Sequence, residues 1–273
     1  VNRLERKTEI VNQVLKNNAA DWEETFYQLL AKNFGMKVNG EAFFELAKSL
    51  PIKILSKHKN NLMQLEALLI GQSGLLNEIF GDIYAVQLQR EYQYLQHKHS
   101  LQPIQKKYWK MARMRPQNFP PLRLAQFTAL IHQASHLFSK IIDAENLKLV
   151  LQLFQATPSN YWQTHYRLDL SSNKSLKKIG KSTIENIVIN TIIPVLFAYG
   201  KYKQNDALQA KAIEWLEQLN PEQNTIILGW KKFNIIPQNA ADSQALIELK
   251  NEFCDQKKCT ECLIGMKLMQ QNV

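Results

Sequence analysis

Apolar residues recur at three- and four-residue intervals along nearly the whole chain, and sustained strand-like alternation is almost absent. A period near 3.6 puts those residues on one face of a helix, where a period of 2 would put them on one face of a strand. Asp21 with Glu24 makes a capping-box-like start for a helix carrying Trp22, Phe26, Leu29 and Leu30, and Gly35 supplies its stop. Asn39 reads as the cap of the next segment, which holds Phe43, Phe44, Leu46, Ala47 and Leu50 before Pro51. Leu62, Leu65, Leu68 and Leu69 mark a third helix, closed by Gly71-Gln72-Ser73-Gly74, and Asp82 caps a run through Ile83, Val86, Leu88, Tyr92 and Leu95. Further helices are expected over 122–142, 145–154, 182–199 (kinked by Pro194), 205–219 and 243–253. Pro158 opens a short one with Tyr161, Trp162 and Tyr166. The predicted fold class is all-α, an irregular multi-helix bundle or array.

One stretch breaks the rhythm. Residues 108–121 contain Arg115-Pro116 and Phe119-Pro120-Pro121. Proline fixes φ and pushes its predecessor toward extended geometry, so an extended loop with a stiffened backbone is expected here. The chain reads as one helical domain over residues 1–273, with 100–120 the place for a boundary if it divides. It opens Val1-Asn2-Arg3-Leu4 without Met and already in helical rhythm, which suggests the C-terminal part of a longer protein. At 273 residues and 45% hydrophobic it can bury a core, which excludes a disordered tail or a disulfide-stapled miniprotein. With no window of eighteen uninterrupted apolar residues and no signal-peptide pattern, a cytoplasmic protein without a membrane span is expected.

The net charge is +10, and it is unevenly spread. Between Glu91 and Asp143 there is no acidic residue, while Lys98, Lys106, Lys107, Lys110, Arg113, Arg115, Arg123 and Lys140 all lie there. Removing these eight cations leaves only +2 for the rest of the chain. His97, His99, His132 and His136 lie in the same stretch. Cations interleaved with aromatic rings suit a polyanion whose bases can stack. The candidate nucleic-acid contacts are therefore Lys106, Lys107, Tyr108, Trp109, Lys110, Arg113, Arg115 and Arg123, with Trp109 or Tyr108 as the stacking platform. The plainer alternative is a solvated basic face with its aromatics turned inward.

All three cysteines fall within nine residues, Cys254, Cys259 and Cys262, spaced C-x4-C-x2-C. Neighbouring Lys257 and Lys258 would favour thiolates, and zinc or an iron–sulfur cluster is the cofactor class this pattern suggests. A fourth ligand is missing from the local sequence, Asp255 and Glu261 being the nearest carboxylates. The alternative is three reduced cysteines in a tight corner without metal. Other motifs fall short. His132 and His136 stand four apart on an expected helix, but Gln133 occupies the place of a zincin glutamate. Gly180-Lys181-Ser182 has a Walker ending without its upstream glycine, and Glu5-Arg6-Lys7 places a nuclease-like E-x-K on a helix instead of a strand.

Three segments occur in a telling order. Arg115-Pro116-Gln117-Asn118-Phe119-Pro120 leads into Arg123-Leu124-Ala125-Gln126; Ile179-Gly180-Lys181 leads into Glu185-Asn186-Ile187-Val188-Ile189-Asn190; Leu249 to Cys254 leads into Cys259, Cys262 and Gly265. In this order the chain resembles an uncharacterised bacterial family defined only as a domain of unknown function. That resemblance implies a longer, β-rich N-terminal portion as partner, and no established activity. Leu176 to Thr183 also resembles the hairpin of helix–hairpin–helix DNA glycosylases, with the cysteines following. It has one glycine, no fourth cysteine and no Asp at the catalytic place. The sequence thus supports a helical, nucleic-acid-binding or scaffolding domain working through residues 98–123. The alternative is a metal-binding domain that supports an enzyme carried by the N-terminal portion.

Overall fold

A computed structural model describes residues 1–134 and 136–271. Two compact units divide the chain: residues 14–192, and residues 1–13 together with 193–273. The boundary expected near 100–120 lies inside the first of them. In chain order the helices are α1 Asn2–Asn17, α2 Trp22–Phe34, α3 Met36–Ser49, α4 Ile52–Lys57, α5 Leu62–Gln72, α6 Ile83–His99, α7 Pro120–Gln133, α8 Leu137–Asp143 and α9 Leu147–Leu153. A two-stranded hairpin, β1 His165–Arg167 with β2 Leu170–Ser171, precedes α10 Lys181–Ile187. Then follow α11 Ile193–Tyr202, α12 Asp206–Gln218, α13 Thr225–Lys231, α14 Ala240–Glu248 and α15 Leu263–Gln271. The all-α reading holds, with that short hairpin as the sheet structure among the described residues.

The caps explain several boundaries. Asp21 accepts from the Glu24 amide and starts α2, while Asp82 accepts from the Tyr84 amide and starts α6. Asn39 does not cap α3. That helix begins three residues earlier, leaving Asn39 buried at the end of its first turn. The reason is the tight junction at Gly35, where a Cβ would stand 2.3 Å from the Asn39 carbonyl oxygen. The helix expected over 122–142 starts at Pro120 and breaks at Ala134, and His136 takes a left-handed φ of 55° before α8. His132 and His136 therefore do not share a helical face. The short helix expected from Pro158 is a 3-10 turn, Asn160–Gln163, and Tyr166 lies on β1.

In the 14–192 unit the core gathers around Phe127 of α7. Its ring lies 4.8 Å from Phe34, 5.8 Å from Tyr27 and 6.4 Å from Phe43. Helix α5 is apolar around most of its surface and is buried accordingly. The expected Pro194 kink is preceded by a π-helical turn, Val188–Ile192, where the hydrogen-bond ladder slips by one residue. The Asn33 amide donates to Thr191 Oγ1 at 2.9 Å beside this turn. Residues 181–202 are, among the described residues, the one run of helix long and apolar enough to cross a membrane, and most of it is buried in the protein.

In the other unit, Trp215, Leu216, Val195, Leu196 and Phe197 form the core of α11 and α12. Arg3 and Arg6 of α1 both reach Glu248 at the end of α14, and Arg6 also pairs with Glu252. The Glu5-Arg6-Lys7 segment is helical, as its sequence context suggested, and Arg6 is engaged in these ion pairs.

Candidate functional site

The basic stretch is held from below. Trp109 Nε1 donates to the Ser73 carbonyl at 2.8 Å, and its ring meets Phe43 edge-on at 5.2 Å. Next to it, Asn39 of α3 clasps the loop backbone: its amide nitrogen donates to the Lys110 carbonyl and its oxygen accepts from the Lys110 amide, at 2.9 and 2.8 Å. Gln72 closes the third tie, its amide nitrogen donating to the Gln102 carbonyl and its own carbonyl accepting from the Ile104 amide. Gly74 makes that approach possible, with φ at 75° and space for no Cβ against the Ile104 carbonyl. Two sequence expectations change here. Trp109 is only 7% exposed, so it cannot stack on a base, because its large apolar ring is better spent anchoring the loop. Tyr108, half exposed, is the aromatic ring left at the surface there.

Lys106, Lys107, Lys110, Arg113 and Arg115 are all exposed. Lys106 is neutralised by an ion pair with Glu78. The others have no carboxylate within ion-pair distance among the described residues.

Arg123 departs from the expectation in the opposite sense. It is 5% exposed, on the first turn of α7. Its guanidinium donates to Asn118 Oδ1 at 2.7 Å, to Gln126 Oε1 at 3.1 Å and, more weakly, to Thr183 Oγ1 at 3.4 Å. All three acceptors are neutral. Its Nε is buried with no partner. Burial lowers its pKa to about 10, with no carboxylate acting against that effect. Gln126 in turn donates to the carbonyls of Lys177 and Lys178, fixing the segment before α10. Asn118, Arg123 and Gln126 come from the first segment that carries the family resemblance, and they meet with Thr183 around this one guanidinium. Arg123 helps line a cavity of about 350 Å³, together with Arg113, Arg115, Phe34 and Phe43, and no acidic side chain lines it.

Sequence reading did not single out a second buried charge, Glu66 of α5. It is fully buried, and its carboxylate accepts from Trp162 Nε1 at 2.7 Å, from Tyr84 and from Ser159. Burial outweighs those bonds and raises its pKa to about 7. Tyr84 stacks on Tyr161, which stacks on His165. The signal in the sequence was an acid inside an otherwise apolar helical run. Its partners lie 18 to 96 residues away and carry no local pattern.

Among the described residues no three His, Cys, Asp or Glu side chains gather into a set able to hold a metal ion. Cys254 and Cys259 are exposed and Cys262 is half-buried; Cys254 ends a π-helical turn, Leu249–Cys254, and the others follow in turns. Close spacing supplies three sulfurs but no converging fourth donor. Desolvation and the neighbouring Cys262 raise the Cys254 pKa. The hairpin likeness fails as well, since residues 172–180 form no helix ahead of α10.

The fold is helical, and its polar chemistry in the 14–192 unit includes exposed cations, the buried Arg123 and the buried carboxyl of Glu66. The chain belongs to the family described as Protein of unknown function (DUF2851), whose model matches residues 1–225. The match ends before the three cysteines. No curated protein and no solved structure matches the chain.

Proposed function

We propose that this helical domain binds nucleic acid through the loop that joins α6 to α7. The observation that carries this reading is that Lys107, Lys110, Arg113 and Arg115 are exposed, unpaired with acids, and carried on a loop tied to α3 and α5. A surface patch of one sign raises the local concentration of oppositely charged partners and steers them in. Releasing the counterions condensed on a phosphate backbone then supplies most of the binding free energy. Tyr108, beside Lys107, offers a ring for a base to stack on. The loop is fixed at Trp109 and Lys110, so little ordering cost is incurred on binding.

The test is fluorescence anisotropy with single-stranded and duplex oligonucleotides at low salt, on the wild type and on the Lys107→Gln, Lys110→Gln double variant. The double variant is expected to bind several-fold more weakly with an unchanged circular dichroism spectrum. Absence of binding by the wild type would refute the proposal.

A further inference from the structure

A buried guanidinium with only neutral partners is an unusual thing for a fold to keep. Removing an arginine's charge from water is costly, and proteins ordinarily offset that cost with a carboxylate. Arg123 has none. Asn118, Gln126 and Thr183 orient its terminal nitrogens, yet Nε still lacks an acceptor. The missing element is a negative charge, and the cavity that Arg123 lines has room for one. Arg113 and Arg115 stand on the same cavity, and no Asp or Glu does. Two of the lining residues, Met36 and Arg113, hold left-handed backbone at φ 54° and 57°. Neither is a residue that adopts this readily, and such strain tends to collect at ligand sites.

We infer that the cavity framed by Arg113, Arg115 and Arg123 is a binding site for a terminal phosphate, a phosphomonoester whose organic group lies against the apolar wall of Phe34, Met36 and Val38. The chemistry favours a monoester over a diester. Arg123 is 5% exposed while Arg113 and Arg115 are exposed, so a phosphate that meets all three spends its free oxygens on guanidinium groups and keeps a single substituent. A monoester also carries nearly two negative charges at neutral pH and three free oxygens, matching three guanidinium groups. A phosphodiester brings one charge and two substituents that would have to leave on both sides. The ligand is the phosphorylated end of a nucleic acid or a free nucleotide. The first of these rests on the function proposed above, and the second stands without it.

Titration calorimetry distinguishes the cases, using inorganic phosphate, thymidine 5′-monophosphate, and one short oligothymidylate made with and without a 5′-phosphate. The phosphorylated oligonucleotide is expected to bind at least tenfold more tightly than its hydroxyl twin, and inorganic phosphate to compete with it. A clear preference for the phosphorylated oligonucleotide over the mononucleotide assigns the site to nucleic-acid ends; equal affinities assign it to nucleotides. Arg115→Gln, at an exposed position, is expected to abolish the preference while the thermal midpoint stays unchanged, so a folding defect in Arg123→Gln would not obscure the result. Equal affinity for the two oligonucleotides, together with no phosphate binding, overturns the inference and leaves the proposed nucleic-acid surface intact. Phosphate and nucleotide binding with no oligonucleotide binding upholds it and removes that surface.

Discussion

At the scale of single residues, the protein keeps Glu66 and Arg123 out of water by different means. Glu66 is surrounded by donors, while Arg123 has acceptors of no charge. The Glu66 pKa is raised from 4.5 to about 7, so the folded state holds its proton where the unfolded chain has released it. The folded state therefore gains nothing from deprotonation, and the contribution of this group to stability is greatest below pH 4.5. It falls as pH rises from 4.5 to 7 and is flat above that. The shift corresponds to about 3 kcal/mol. Glu66→Gln, with its oxygen facing Trp162 and its nitrogen facing the Tyr84 and Ser159 hydroxyls, keeps every bond without the charge. Urea unfolding of this variant is expected to show a stability advantage over wild type that grows by that amount between pH 4.5 and 7; parallel curves would count against the assignment. Neither charge was legible as a site in the sequence. Glu66 stood out only as an acid in a leucine-rich run, and Arg123 was read as one more exposed cation, because a charge pattern says nothing about which side chains the helix turns inward.

At the scale of elements, the α2–α3 junction and the loop from α6 to α7 are one structure. Gly35 lets α3 begin at Met36, and this places Asn39 where it holds Lys110. A side chain at Gly35 would push against the Asn39 carbonyl itself. Gly35→Ala should therefore cost roughly 1–3 kcal/mol and loosen the basic loop, detectable as faster amide exchange at Lys110. Arg113→Gly makes the opposite case. Relief of a left-handed residue returns about 1 kcal/mol, so the thermal midpoint should hold or rise while anion binding falls. A fall in both would mean that Arg113 serves the fold alone. The helices at this scale were largely readable: Asp21 and Asp82 cap where their side chains announce it. Asn39 and Trp109 misled for one reason. A polar residue ahead of an apolar run looks like a cap, and an aromatic among lysines looks exposed, until the partner from a distant element is known. The break at Ala134 had no proline or glycine to announce it, and local spacing could not show that the three cysteines fail to converge.

At the scale of the whole molecule, the charge map was the most informative thing in the sequence, since the surplus sits in one stretch and the rest of the chain is close to balanced. What the map could not supply was the sorting of the 106–123 share of that surplus into three kinds: Lys106 neutralised by Glu78, Lys107, Lys110, Arg113 and Arg115 left open to water, and Arg123 buried. The open group is the one a polyanion would meet, and its number sets the response to salt. The slope of the logarithm of affinity against the logarithm of salt concentration reads that number directly. With four open cations engaging a single strand, it should be about −3, and each cation changed to glutamine should flatten it by about 0.7. A slope near zero, or one unchanged when Lys107, Lys110, Arg113 and Arg115 are all replaced, would contradict the account.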